Sequence, residues 1–172
     1  LPEGKMKSRE GVVIDADDLM DEVVNNELEK LEDKDKKKAE IIGVGAIKFQ
    51  FLKIDAYSDL VFDPKKSIEL NGDTSVYLQY TYARIKSLLK KSKVRQRDFI
   101  KFNINNAALL KDEIDLMREL NFFYSSVVKS AENYNPSFLC KELINIANVY
   151  NNFYQKNKII NMEDKNLKNI RL

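Results

Sequence analysis

From Pro136 onward, Leu139, Leu143, Ile146, Tyr150 and Phe153 recur at i, i+4, i+7, i+11 and i+14. An α-helix turns once every 3.6 residues, so these side chains form one continuous apolar stripe backed by a polar face. Pro136 suits the first turn of such a helix, where its missing N–H costs nothing. A stripe of that length must be covered by other elements, and the composition indicates which kind. Five glycines and three prolines in 172 residues leave few turning points. That argues against a loop-rich β fold and for a mainly α chain built from long helices.

The rest of the sequence fits this expectation. Asp15 or Asp17 can cap a helix over about 17–33, with Leu19, Val23, Leu28 and Leu31 inward. Asp33 to Lys38 reads as a charged turn. A second helix over about 39–52 has Ile41, Val44, Ile47 and Leu52 inward, with Gly43 and Gly45 permitting a close neighbour. Val12 to Ile14 and residues 54–62 read as extended, and 63–70 as a turn followed by one helical turn. Asn71-Gly72-Asp73-Thr74 is a helix-start signal for a helix over about 74–91. Further helices are expected over about 106–120, 121–133 and 136–155, with Leu110, Ile114 and Met117 inward on the first; another starts after Met162.

Composition removes whole classes of chemistry. There is no histidine, so a Ser-His-Asp or Cys-His triad and an imidazole zinc site are excluded, and one cysteine leaves no thiolate cluster. No metal site is expected. Cys140 by itself excludes an internal disulfide framework and fits a reducing, cytoplasmic setting; next to Leu139 it reads as packing. No apolar run reaches the ~20 residues of a membrane span, and the start does not read as a signal peptide. A first residue other than methionine suggests a chain cut from something longer.

Charge is unevenly spread, from −6 over residues 1–63 to +8 over 64–172. The second segment suits a polyanionic partner. Within it, Leu78, Tyr82, Ile85 and Leu89 read as the core face of the 74–91 helix. Tyr77, Tyr80, Thr81 and Arg84 form a second stripe about 100° round the cylinder. That stripe either caps the core with its hydroxyls in water or presents rings on which unpaired bases stack. Lys90, Lys91, Lys93, Arg95 and Arg97 form a basic run that is either a solvated connection or a phosphate-tracking edge. Near the amino terminus, Lys5, Lys7, Ser8 and Arg9 between two glycines can close over an anion. Asp17, Asp18 and Asp21 suit a helix N-terminus and receive no catalytic role.

Several of these segments, in order, resemble one family. Lys5-Met6-Lys7-Ser8-Arg9-Glu10-Gly11 resembles the Lys-Met-Ser-Lys-Ser loop of class I aminoacyl-tRNA synthetases. Tyr77-Leu78-Gln79-Tyr80-Thr81-Tyr82-Ala83-Arg84-Ile85 resembles the first helix of the anticodon-binding domain of arginyl-tRNA synthetases. Ile42 to Lys48, Leu60 to Asp63, Asn71 to Thr74, Asn152-Phe153-Tyr154 and Asn169 to Leu172 are similar to further stretches of that family, so the resemblance spans essentially the whole chain.

The resemblance implies a helical anticodon-binding bundle over 71–172, ending before its last helix. Residues 1–70 would be the carboxy-terminal remnant of a Rossmann-type catalytic domain. It implies a parent arginine–tRNA ligase, a monomer that joins arginine to its tRNA using ATP with Mg2+, and no cofactor held by this chain alone. Lys5, Lys7 and Ser8 would be the catalytic and ATP-binding loop residues, acting by electrostatic stabilisation of the leaving pyrophosphate. Lys7 stands where the motif has its first serine and Ser8 where it has its second lysine. Ala56-Tyr57-Ser58 departs from the basic or amide residue common before Asp59. Tyr77, Tyr80, Arg84 and Tyr154 would contact tRNA. The family's other signature, His-Ile-Gly-His, needs histidine, so this chain is expected to bind tRNA without aminoacylation. The alternatives are a helical protein-interaction module and a piece of a cysteinyl-tRNA synthetase, which shares a related bundle.

Overall fold

The computed structural model describes residues 15–93, 109–160, 162–163 and 165–172. Among them lie seven helices and no strand: α1 (Ala16–Lys30), α2 (Lys36–Leu52), α3 (Pro64–Ser67), α4 (Ser75–Ser92), α5 (Lys111–Glu132), α6 (Ser137–Lys156) and α7 (Lys165–Ile170). The loop with Lys5, Lys7 and Ser8, the expected strand at Val12–Ile14, and Arg95 and Arg97 lie outside the described residues. No helix among the described residues is long and apolar enough to cross a membrane.

Side-chain caps fix most helix starts. Asp15 accepts from the Asp17 amide, Asp35 from Lys37 and Lys38, Asp63 from Lys65 and Lys66, and Thr74 from Tyr77. Gly72, at φ +86°, makes the turn that feeds Thr74 into α4, a conformation that disfavours a Cβ. The carboxylate of Glu113 accepts from the Leu110 amide at 2.6 Å and closes the start of α5. Leucine has no acceptor with which to complete the reciprocal half of a capping box. Asn135 accepts from the Ser137 amide at the head of α6, so Pro136 falls just ahead of the first turn.

Helices α1 and α2 pack along each other, as do α5 and α6, and α4 touches both α2 and α6. The core runs through this arrangement as three clusters. Val23, Ala46, Phe62 and Ile68 form the first, Phe49, Cys140 and Ile144 the second, and Leu88, Phe153 and Ile159 the third.

Three expectations about these elements are corrected. On α2 the buried face is Ala39, Gly43, Ala46 and Phe49, whereas Ile41 is 61% exposed and Leu52 is exposed as well. Small residues win that face because α1 approaches so closely: a Cβ on Gly43 would sit 3.1 Å from the Val24 Cα. Helices 106–120 and 121–133 are replaced by the single α5, since no glycine or proline interrupts 111–132. Leu110, Ile114 and Met117 are exposed on it rather than inward. Residues 54–62, expected to be extended, begin with a turn, in which the Ser58 amide donates to the Asp55 carbonyl.

The stripes on α4 and α6 meet across an apolar groove of about 460 Å3 that α5 also lines. Leu78, Ile85, Leu89, Leu143 and Ile146 line it and are half-buried, and Tyr82, expected in the core, is 63% exposed.

One buried carboxyl is poorly served. Glu27 is buried on α1, one of its oxygens has no partner, and burial pushes its pKa above the ordinary carboxylate value, with Lys30 opposing only in part. A raised folded-state pKa means that the carboxyl favours folding at low pH and loses that contribution as pH rises through the raised value. Glu27→Gln is therefore expected to stabilise the fold at neutral pH and to lose this advantage on acidification. Urea midpoints of both chains at pH 4 and pH 7 test this; an equal difference at both would show that the carboxyl is not the cause.

Candidate nucleic-acid interface

The second stripe of α4 turns out to face α6. Thr74 caps α4 so that Tyr77, Tyr80, Thr81 and Arg84 ascend one side of it, and α6 presents Asn148, Asn151 and Tyr154 opposite. The meeting is polar. Tyr77 donates its hydroxyl hydrogen to Asn148 Oδ1 at 2.9 Å. Asn151 Nδ2 donates to the Tyr77 hydroxyl at 3.0 Å and to Thr81 Oγ1 at 2.8 Å, and Thr81 donates to the Tyr77 carbonyl at 2.9 Å. Asn151 Oδ1 accepts from Arg84 Nη1 at 3.1 Å. One buried amide thus satisfies three groups of α4, the arrangement a low-dielectric polar contact requires.

Arg84 is the centre of the outer part. Its guanidinium carbon lies 4.7 Å from the Tyr80 ring centroid and 5.0 Å from that of Tyr154, and Nη2 donates to the Tyr80 hydroxyl. Tyr150 stands behind, its ring 6.0 Å from Tyr154 and tilted by 33°. The Tyr150 hydroxyl is buried without a partner, and burial together with neighbouring Tyr154 pushes its pKa up to about 12, so it stays a neutral phenol. Tyr80 is 41% exposed, while Tyr77, Arg84 and Tyr154 are half-buried.

The four residues singled out in this half of the sequence therefore come together. Tyr80, Arg84 and Tyr154 make one ring–guanidinium–ring cluster at the surface, and Tyr77 is tied into its base. The Tyr77 and Tyr80 hydroxyls have partners within the protein, and Arg84 is held in place rather than free. Such a cluster can receive a planar π system on its open side and leaves guanidinium donors for an anion. Asn148 and Asn151 were missed by sequence reasoning. A signal was present: asparagines at 148, 151 and 152 crowd a helix interior, where asparagine is a weak helix former. Of the basic run, Lys90 and Lys91 close the last turn of α4 and are exposed.

Comparison with known proteins agrees with this architecture. Residues 78–172 match the sequence family described as the DALR anticodon binding domain. Over its whole length the chain is 35% identical to the arginine–tRNA ligase of Porphyromonas gingivalis and 38% identical to that of Bacteroides fragilis. It spans 30% of the length of each of these relatives. The backbone superposes on Thermus thermophilus arginyl-tRNA synthetase with a TM-score of 0.82, over 93% of this chain and 28% of that one, at 24% identity. At that identity the likeness is one of fold.

Proposed function

The chain belongs to the DALR anticodon-binding domain family, and from that membership we propose that it is the anticodon-contacting portion of an arginine–tRNA ligase. The parent, in this reading, is a monomeric cytoplasmic enzyme that uses ATP, with Mg2+, to join arginine to its tRNA. Residues 71–172 are the anticodon-binding bundle, and residues 1–70 close the catalytic domain. Lys5, Lys7 and Ser8 then belong to the loop that steadies the departing pyrophosphate. The chain alone is expected to bind tRNA and to catalyse no arginine-dependent ATP–pyrophosphate exchange.

One observation carries the reading: Arg84 fixed between the Tyr80 and Tyr154 rings and held there by Asn151. Stacking of unpaired bases on such rings is worth roughly 1–3 kcal/mol per base and tolerates any base, because each has a π face. Preorganisation of the rings lowers the ordering cost of binding.

The test is a fluorescence anisotropy titration of the chain with an arginine-tRNA anticodon stem-loop at low and moderate salt. Binding that weakens steeply with salt is expected. Tyr80→Ala should weaken it about 5- to 150-fold. Absence of binding at low salt would favour a protein-interaction module instead, and a preference for a cysteine-tRNA stem-loop would move the chain to the cysteinyl enzymes.

A further inference from the structure

A second cavity, of about 280 Å3, lies where the end of α2 meets the first half of α6. Its buried wall is apolar, from Phe49 and Ile144, and its rim carries Lys53, Lys141, Asn145 and Asn148. On α6 the last three fall at i, i+4 and i+7, so they line one edge, and all three are exposed.

The rim is rich in donors. Neither lysine forms an ion pair with a carboxylate among the described residues. Lys53 Nζ donates to the Asp73 carbonyl at 2.8 Å, which anchors the ammonium at the mouth, and Asp73 supplies the one carboxylate of the lining. Asn148 Oδ1 accepts from the Tyr77 hydroxyl, so its NH2 group is not used in that bond. Hydrogen bonds run without a gap from Asn148 through Tyr77 and Asn151 to Arg84, so the cavity and the tyrosine cluster are parts of one face.

An apolar wall, an edge of amides and two cations match the three parts of a nucleotide: flat base, hydrogen-bonding base edge and phosphate. We propose that this cavity is a second nucleotide subsite of the chain. It takes one unstacked nucleotide of the same single-stranded RNA loop, with the base against Phe49 and Ile144, its edge at Asn145 and Asn148, and its phosphate between Lys53 and Lys141. The inference rests on the reading of the tyrosine cluster as an RNA platform.

The test uses the whole chain, the anticodon stem-loop as probe, and a blunt duplex of the same stem as control. Lys141→Ala and Asn145→Ala change exposed side chains, whereas Lys53 is left intact because it braces the entry to α4. Lys141→Ala is expected to reduce the log–log salt slope by about 1. Asn145→Ala is expected to weaken stem-loop binding about three- to tenfold and to leave duplex binding unchanged. If Tyr80→Ala weakens binding while both new variants match the parent in affinity and slope, the subsite is overturned and the platform stands. If Lys141→Ala alone has an effect, the cavity is a phosphate contact and the base subsite is overturned. No binding by the unmodified chain overturns both.

Discussion

Alanine in place of Arg171 is expected to remove about 3–5 kcal/mol of folding stability, the largest single-residue effect anticipated here. The Arg171 and Glu113 side chains are 9% and 7% exposed, and Nε donates to Glu113 Oε1. Nη1 donates as well to the Lys158 carbonyl, at 3.2 Å. Glu113 meanwhile uses its other oxygen to cap α5. Removing the arginine leaves a carboxylate buried with one oxygen unpaired, and the desolvation penalty that the pair shared then stands alone. Replacing both partners by apolar residues of similar size, Glu113→Leu with Arg171→Met, should recover much of the loss and retain only the cost of the missing cap, ~1 kcal/mol. Urea unfolding of the single and double variants measures this directly. A single-variant loss below about 1 kcal/mol would mean that the pair behaves like a solvated surface bridge.

Asn151→Ala is expected to be nearly as damaging, at about 2–4 kcal/mol, and to act on binding as well as on folding. The amide satisfies the Tyr77 hydroxyl, the Thr81 hydroxyl and the Arg84 guanidinium at once. Its loss leaves buried hydroxyls short of a partner and lets Arg84 leave the position between the rings. Stem-loop affinity should therefore fall in a variant that keeps every ring. Aspartate at 151 separates the two effects. It can still accept from Arg84 but cannot donate to Tyr77 and Thr81, so Asn151→Asp should keep more RNA affinity than stability. Equal losses in both readouts would show that the amide acts only as packing.

Some of this was legible in the sequence because local chemistry decides it. The caps at Asp15 and Thr74 follow from side chains that reach an amide two or three residues away. That α6 is a helix follows from spacing alone, but of its stripe only Tyr150 and Phe153 are buried, while Leu139, Leu143 and Ile146 are half-buried. What failed depends on partners distant in sequence. Hydrophobicity points to Ile41 and Leu52 on α2, but the close approach of α1 at Val24 selects small residues for the contact. On α4 the apolar stripe was expected inward. The polar stripe is nonetheless held against α6, because Asn148 and Asn151 offer it hydrogen bonds, while the apolar one borders the open groove. For the candidate site, the tyrosines and Arg84 were named from their spacing on α4, but the residue that organises them was not. Nothing in helical periodicity reveals that an asparagine 70 positions away will serve Thr81.

That separation has a consequence for how the joined face of α4 and α6 comes into being. Tyr77 and Asn148 are 71 residues apart, and α6 forms its most extensive contacts with its immediate neighbour α5, across a tight turn. Short-range pairs of helices assemble quickly because little chain entropy is lost in closing them, whereas joining α4 to α6 requires a long loop to close. The tyrosine–arginine cluster is therefore among the later features to form and among the first to be lost when the chain opens locally. A nucleic acid that binds only the joined face must in turn suppress that opening. Amide hydrogens along α4 should then exchange more slowly in its presence, with those of α1 left as they were.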